Sequence, residues 1–156
     1  LAGRGERWSD EGEVQRLLVQ HLEDGSALAK FRQMVAAQGG DVAMVDDPSK
    51  LPQASIRETF NAEQPGYIEK IAADQIAWGA FELGAGREKK GDPIDLAVGL
   101  EVLVKVGEPV AQGAPLVTIH ANDAAKLEAC RARLRAAFGF NSSPVEPLPL
   151  FYGVVR

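Results

Sequence analysis

"VGLEVLVKVGEPVAQGAPLVTIHA", Val98 to Ala121, decides the fold. Apolar and polar residues alternate through it, and Gly107, Pro109, Gly113 and Pro115 interrupt the alternation at short intervals. Period-two alternation sends successive side chains to opposite faces of a strand, while Gly and Pro supply turn dihedrals that strands lack. The stretch therefore predicts short antiparallel strands joined by tight turns.

On its C-terminal side a helix is expected, with Asn122 as N-cap and Leu127, Cys130, Leu134 and Phe138 as its apolar stripe. The tail "SSPVEPLPLFYGVV" reads as an extended, proline-interrupted edge segment. On the N-terminal side, "SIRETFNA" and "GYIEKI" (Gly66 to Ile71) have strand-like alternation. Asp74 is placed to cap "DQIAWGAFEL", which sets Ile76, Ala80 and Leu83 on one helical face. "DDPSKLP", Asp46 to Pro52, reads as a domain crossing, because proline withholds the N–H that helix and sheet require.

Before that crossing the text is helical. Val14, Leu17, Leu18, His21 and Leu22 recur at helical spacing, Asp10 with Glu13 forms a capping box behind Trp8, and Gly25 suits the left-handed stop. A second helix is expected from an N-cap at Ser26 through Leu28, Phe31 and Val35 to Gly39–Gly40. The fold class is thus α+β: an N-terminal helical hairpin over 1–45, and a C-terminal α/β domain with short antiparallel strands over 53–156. The hairpin's apolar stripe has few partners of its own and calls for a further surface.

The 156 residues are 46% hydrophobic and 25% charged, a composition that supports a packed core. A net charge of -5 excludes a surface built to neutralise nucleic-acid phosphates. Cys130 is the single cysteine, His21 and His120 stand far apart, and nothing has metal-ligand spacing, which suits the cytoplasm. No apolar run approaches the length of a membrane span. The polar text opening at Leu1, without Met, reads as the continuation of a longer polypeptide.

"LGAGREKKGDPID", Leu83 to Asp95, has the composition of a phosphate loop: two glycines, then Arg87, Lys89 and Lys90, then Asp92 and Asp95. It matches neither phosphate fingerprint. The dinucleotide motif requires a third glycine where Lys89 stands, and the P-loop requires Lys and a hydroxyl residue where Asp92 and Pro93 follow Gly91. The bland reading is that Gly84 and Gly86 end a helix with a residue at positive φ, and that Arg87 or Lys90 pairs with Asp92, Asp95 or helix-end carbonyls. Gly84, Gly86, Arg87, Lys90 and Asp95 are therefore carried forward as a structural or interdomain turn. His21 reads as a core or interface histidine, His120 as a strand-end residue, Cys130 as a small buried hydrophobe and Trp78 as a packing residue. No catalytic, phosphate-binding, base-binding or metal residue is assigned.

"ALAKFRQMVAAQGGD" (Ala27 to Asp41), "DDPSKLPQA", "GYIEKIAADQIAWGAFELGAGREKKGDPIDLAVGL" and "VGEPVAQGAPLVTIHA", in this order and spacing, closely resemble the C-terminal part of pyrimidine-nucleoside and thymidine phosphorylases. The resemblance implies a parent pentosyltransferase that converts a pyrimidine nucleoside and phosphate into the free base and a (deoxy)ribose 1-phosphate. It further implies a homodimer that works by closing a cleft, with phosphate as co-substrate and no cofactor in this portion. The family's phosphate, base and potassium ligands fall upstream of the matched stretch, so the 156 residues alone are expected to be inactive. The strands "GYIEKI" and "VGLEVLVKVGEPVAQGAPLVTI" are also similar to barrel-sandwich folds. A lipoyl or biotinyl carrier, the rival reading, needs a modifiable Lys on an exposed hairpin, whereas Lys89 and Lys90 precede Gly91 where a carrier would place Met. A free-standing interaction module is the third reading.

Overall fold

The computed structural model describes residues 10–87, 89–150 and 152–153, and the chain divides into two compact units, Leu1–Leu51 and Pro52–Arg156. Trp8 lies outside the described residues.

The first unit is helical. α1 (Glu11–Glu23) starts where the Asp10 carboxylate accepts the N–H groups of Gly12 and Glu13, two of the donors a helix start leaves without intrahelical partners. Gly25, at φ 76°, ends it and leads straight into α2 (Ser26–Ala37). Ser26, expected as the cap, is instead the first helical residue. The reversal is too short for a separate cap, and Asp24 accepts the Ser26 N–H in its place. α3 (Ala43–Asp46) is tied to α2 by two bonds from the Arg32 guanidinium to Asp46, at 2.8 and 2.9 Å. This exposed pair contributes orientation more than stability. Among the described residues of this unit Val14 is the buried one, whereas Leu18, Leu22, Leu28, Phe31 and Met34 are all exposed, Leu22 by 75%.

Among its described residues, the second unit holds two antiparallel three-stranded sheets. β5 (Pro115–Ala121) lies between β1 (Ile56–Asn61) and β3 (Gly99–Val102); β2 (Gly66–Ile71) lies between β4 (Pro109–Val110) and β6 (Phe138–Asn141). All four strand pairings are antiparallel, as short strands joined by tight turns require. β1 keeps the expected alternation, with Ile56, Glu58 and Phe60 half-buried and the residues between them exposed. β5 does not: Leu116, Val117, Thr118, Ile119 and Ala121 are all buried, because both faces of this central strand are covered. A strand covered on both faces has no solvent side to alternate toward.

Two helices complete the unit. α4 (Ala73–Ala80) follows Ala72 with no side-chain cap, so Asp74 is a first-turn residue favoured there by the helix dipole. α5 (Ala124–Ala137) is capped by Asp123, which accepts the Lys126 N–H at 2.9 Å. Asn122, the expected cap, is engaged elsewhere. Leu127, Cys130, Leu134 and Ala137 form the buried stripe of α5, and the first three join Ile68, Leu116 and Ile119 in one core. Phe138 leaves that stripe to begin β6 and stacks on Phe60 with ring centroids 6.3 Å apart. Beyond it, the described residues of the tail form no strand; Pro144, Pro147 and Pro149 have no N–H for a ladder.

Candidate functional site

α4 runs into a widened, π-type turn over Phe81–Ala85, where Gly84 takes φ 107° and ψ 11°. Only glycine adopts that conformation without strain, so the helix ends there. Gly86 differs. Its backbone is extended (φ -131°, ψ 174°), and its role is spatial, because a Cβ would lie 2.4 Å from Phe81 Cδ2. The Phe81 ring is in turn met edge-on by Trp78, at 5.5 Å and 78°. The two glycines thus do separate work, one reversing the chain and one making room for a ring. Trp78 remains half exposed.

The turn that follows is held by its own carboxylates. Lys89 N–H donates to Asp92 Oδ2 (2.7 Å), and Asp92 N–H donates to the Lys89 carbonyl (3.1 Å). Asp95 N–H donates to the Gly84 carbonyl (3.1 Å), satisfying a helix-end acceptor. Asp95 Oδ1 accepts the Ala97 N–H at 2.9 Å, and Oδ2 accepts Asn122 Nδ2 at 2.8 Å. Asn122 Oδ1 then accepts the N–H of Ser55, also at 2.8 Å. The Asn122 bond, followed by the Ala97 N–H, holds the Asp95 carboxyl below the ordinary carboxylate range, and the charge of Lys126 lowers it further.

The expected pairing of Arg87 or Lys90 with Asp92 or Asp95 is not what forms. Among the described residues, the ion pairs join Arg32, Arg131, Arg133 and Arg135 to their acids, and Arg87, Lys89 and Lys90 are in none of them. A short aspartate reaches a neighbouring N–H with few torsions to fix, whereas a Lys or Arg partner loses much more rotamer freedom. The N–H groups of Lys89, Asp92, Asp95 and Ala97 all point at acceptors of the protein itself. A phosphate loop would instead converge them on a common centre.

The remaining candidates are dispersed. His21, read as a core or interface residue, is exposed, with Nδ1 2.7 Å from Ser26 Oγ across the α1–α2 reversal. His120 is half-buried near the end of β5, opposite Arg57 and Gly99. Cys130 is fully buried, and burial pushes its thiol up to about 11, with Glu82 adding to the shift. A thiol-specific reagent at pH 8 is therefore expected to label the native chain at least ~100-fold more slowly than a free cysteine, because so little thiolate is present. Denaturant should restore the ordinary rate; rapid labelling of native protein, followed by absorbance, would contradict the burial. Among the described residues, no cluster of His, Cys, Asp and Glu could hold a metal ion, and no helix is long and apolar enough to cross a membrane.

Comparison with known proteins places these elements. Residues 67–141, from β2 to the end of β6, match the family described as pyrimidine nucleoside phosphorylase C-terminal domain. The pyrimidine-nucleoside phosphorylase of Geobacillus stearothermophilus is 42% identical over 147 residues, covering 94% of this chain and 34% of its own length. That of Bacillus subtilis is 47% identical over 110 residues (70% of this chain, 25% of its own), and that of Staphylococcus epidermidis 44% over 110 residues with the same coverage. The chain therefore spans a quarter to a third of the relatives it matches. With most of β2, and α4, the Gly84–Asp95 turn, β5, α5 and β6, inside the matched region, residues 67–141 belong to the pyrimidine nucleoside phosphorylase C-terminal domain family.

Proposed function

We propose that this chain is the C-terminal portion of an enzyme that breaks the bond between a pyrimidine base and C1′ of its pentose, with phosphate taking the place of the base. The products are the free base and a (deoxy)ribose 1-phosphate; phosphate is the co-substrate and no further cofactor is needed. The observation that carries this reading is the 42% identity to the Geobacillus stearothermophilus phosphorylase across 94% of the chain. In this reading the groups that grip phosphate and base belong to the remainder of the polypeptide. The 156 residues have a structural part, supporting the closure of one domain on another, in a cytoplasmic homodimer. The internal satisfaction of the Gly84–Asp95 turn favours such a part, since its amides and carboxylates already hold the protein to itself. Arg87, Lys89 and Lys90 are left available for the surface that meets the other domain.

The test compares the full polypeptide encoded by the gene with residues 1–156 alone. Phosphate-dependent release of uracil from uridine, or thymine from thymidine, is expected from the former and not from the latter. Turnover by the 156-residue chain, abolished by a substitution within it, would overturn the assignment.

A further inference from the structure

Two segments distant in sequence are joined by one side chain. Asn122, between β5 and α5, accepts the Ser55 N–H and donates to Asp95 Oδ2, each at 2.8 Å. Asp95 in turn holds Ala97 through Oδ1 and the Gly84 carbonyl through its own N–H. Ser55 is among the first residues of the second unit, which begins at Pro52. The start of that unit is thus fastened, through one amide, to the Gly84–Asp95 turn. The fastening is not needed to start α5, because Asp123 caps that helix. Nor is it required by burial: Ser55 and Asn122 are exposed, so water can satisfy the same groups.

We propose that Asn122 is a positioning residue, which makes the start of the α+β unit and the Gly84–Asp95 turn move as one piece during closure. This role rests on the phosphorylase reading above. An amide suits it because a single side chain must accept from Ser55 and donate to Asp95 at once; a carboxylate offers no donor and a hydroxyl lacks the reach. The Asn122 bond itself, then the Ala97 N–H and lastly the charge of Lys126, favour Asp95 in its ionised, accepting form. Movement arriving at Ser55 is then passed to the turn that presents Arg87, Lys89 and Lys90 instead of being absorbed by slack in the backbone.

The test is an exchange of the two side chains in the full polypeptide. Asn122→Asp alone sets two carboxylates face to face. Asn122→Asp with Asp95→Asn restores the pattern in reverse: the new amide donates to position 122 and accepts Ala97, and the new carboxylate accepts Ser55. The single substitution is expected to lower kcat about tenfold, leaving KM for nucleoside within about twofold, because positioning for closure acts on turnover more than on binding. The double substitution should return kcat to within about twofold of the parent. An unchanged kcat in the single variant, or a double variant as slow as the single, would overturn the role. Should the full polypeptide have no phosphorylase activity, the phosphorylase reading fails by itself, and amide hydrogen exchange then decides whether the fastening exists. Faster exchange at residues 53–57 and 84–97 together in Asn122→Asp, reversed in the exchanged pair, supports it; acceleration confined to residues 121–126 overturns it.

Discussion

Gly66→Ala is expected to destabilise the α+β unit by about 3 kcal/mol, the sum of backbone strain and disturbed ladder bonds. Gly66 opens β2 at φ 154°, paired with Val110 on one side. A Cβ there would lie 2.7 Å from the Asn141 carbonyl oxygen, with Asn141 held in β6 opposite Tyr67. That oxygen is backbone, so it cannot swing aside as a side chain would; either β6 shifts out of register or β2 does. For a unit of this size, the loss corresponds to a fall in Tm of about 12–24 °C. Gly113→Ala is the matched control, because Gly113 also has positive φ (82°) but a Cβ would meet nothing within 4 Å. Thermal unfolding followed by circular dichroism separates them, and a Gly66→Ala shift no larger than that of Gly113→Ala would show that the strand contact does not matter.

Leu134→Ala is expected to cost about 4 kcal/mol, toward the upper end for a buried leucine. Leu134 is fully buried on α5 and borders a partly open pocket of about 30 Å³, lined by Phe60, Leu116, Phe138 and Phe140 together with Asn61, Glu63 and Arg135. Truncation adds to space that the surroundings already leave unfilled. Phe60 and Phe138 are stacked on each other, and Leu116 belongs to the central strand, so none can move in without losing its own contacts. Urea unfolding should show a lower midpoint with an unchanged slope. A loss below about 1 kcal/mol would mean that the site collapses around the smaller side chain.

What was legible in the sequence is what short-range chemistry decides. Asp10, Gly25 and Gly39 act within a few residues of themselves, and each sits where local capping and turn rules put it. The strands 56–61, 66–71 and 115–121 follow from alternation bounded by Gly and Pro. The failures share a different cause. Asn122 and Asp123 are equally good caps on paper, and the choice between them is made by Ser55 and Asp95, 67 and 27 residues away. His21 has helical spacing with Leu17 and Leu18, but α1 buries Val14 and leaves His21 exposed beside Ser26, which rules out a place in the core of this unit and leaves the interface reading standing. In the turn, Gly84 could be read as a helix stop from composition alone. The partners of Asp95 could not, because a carboxylate next to three basic residues invites an ion pair until the distances show that amides hold it. The burial of both faces of β5 was likewise hidden, since "PLVTIHA" has the same letters whether one face is covered or two.

The strand order also governs when the α+β unit can form during its synthesis. Ile56 pairs with Ala121 and Tyr67 with Asn141, so the β1–β5–β3 sheet cannot close until the chain has been made through β5, nor the β4–β2–β6 sheet until it has been made through β6. Roughly 60 residues separate the end of β1 from that of β5, and roughly 70 the end of β2 from that of β6, which at cellular elongation rates is about 3–14 s. Over those intervals β1 has emerged without β5 and β2 without β6, and their unpaired edges are open to other nascent chains. Codon changes that slow elongation between residues 61 and 115 would lengthen this exposure and leave every contact of the finished fold unaltered.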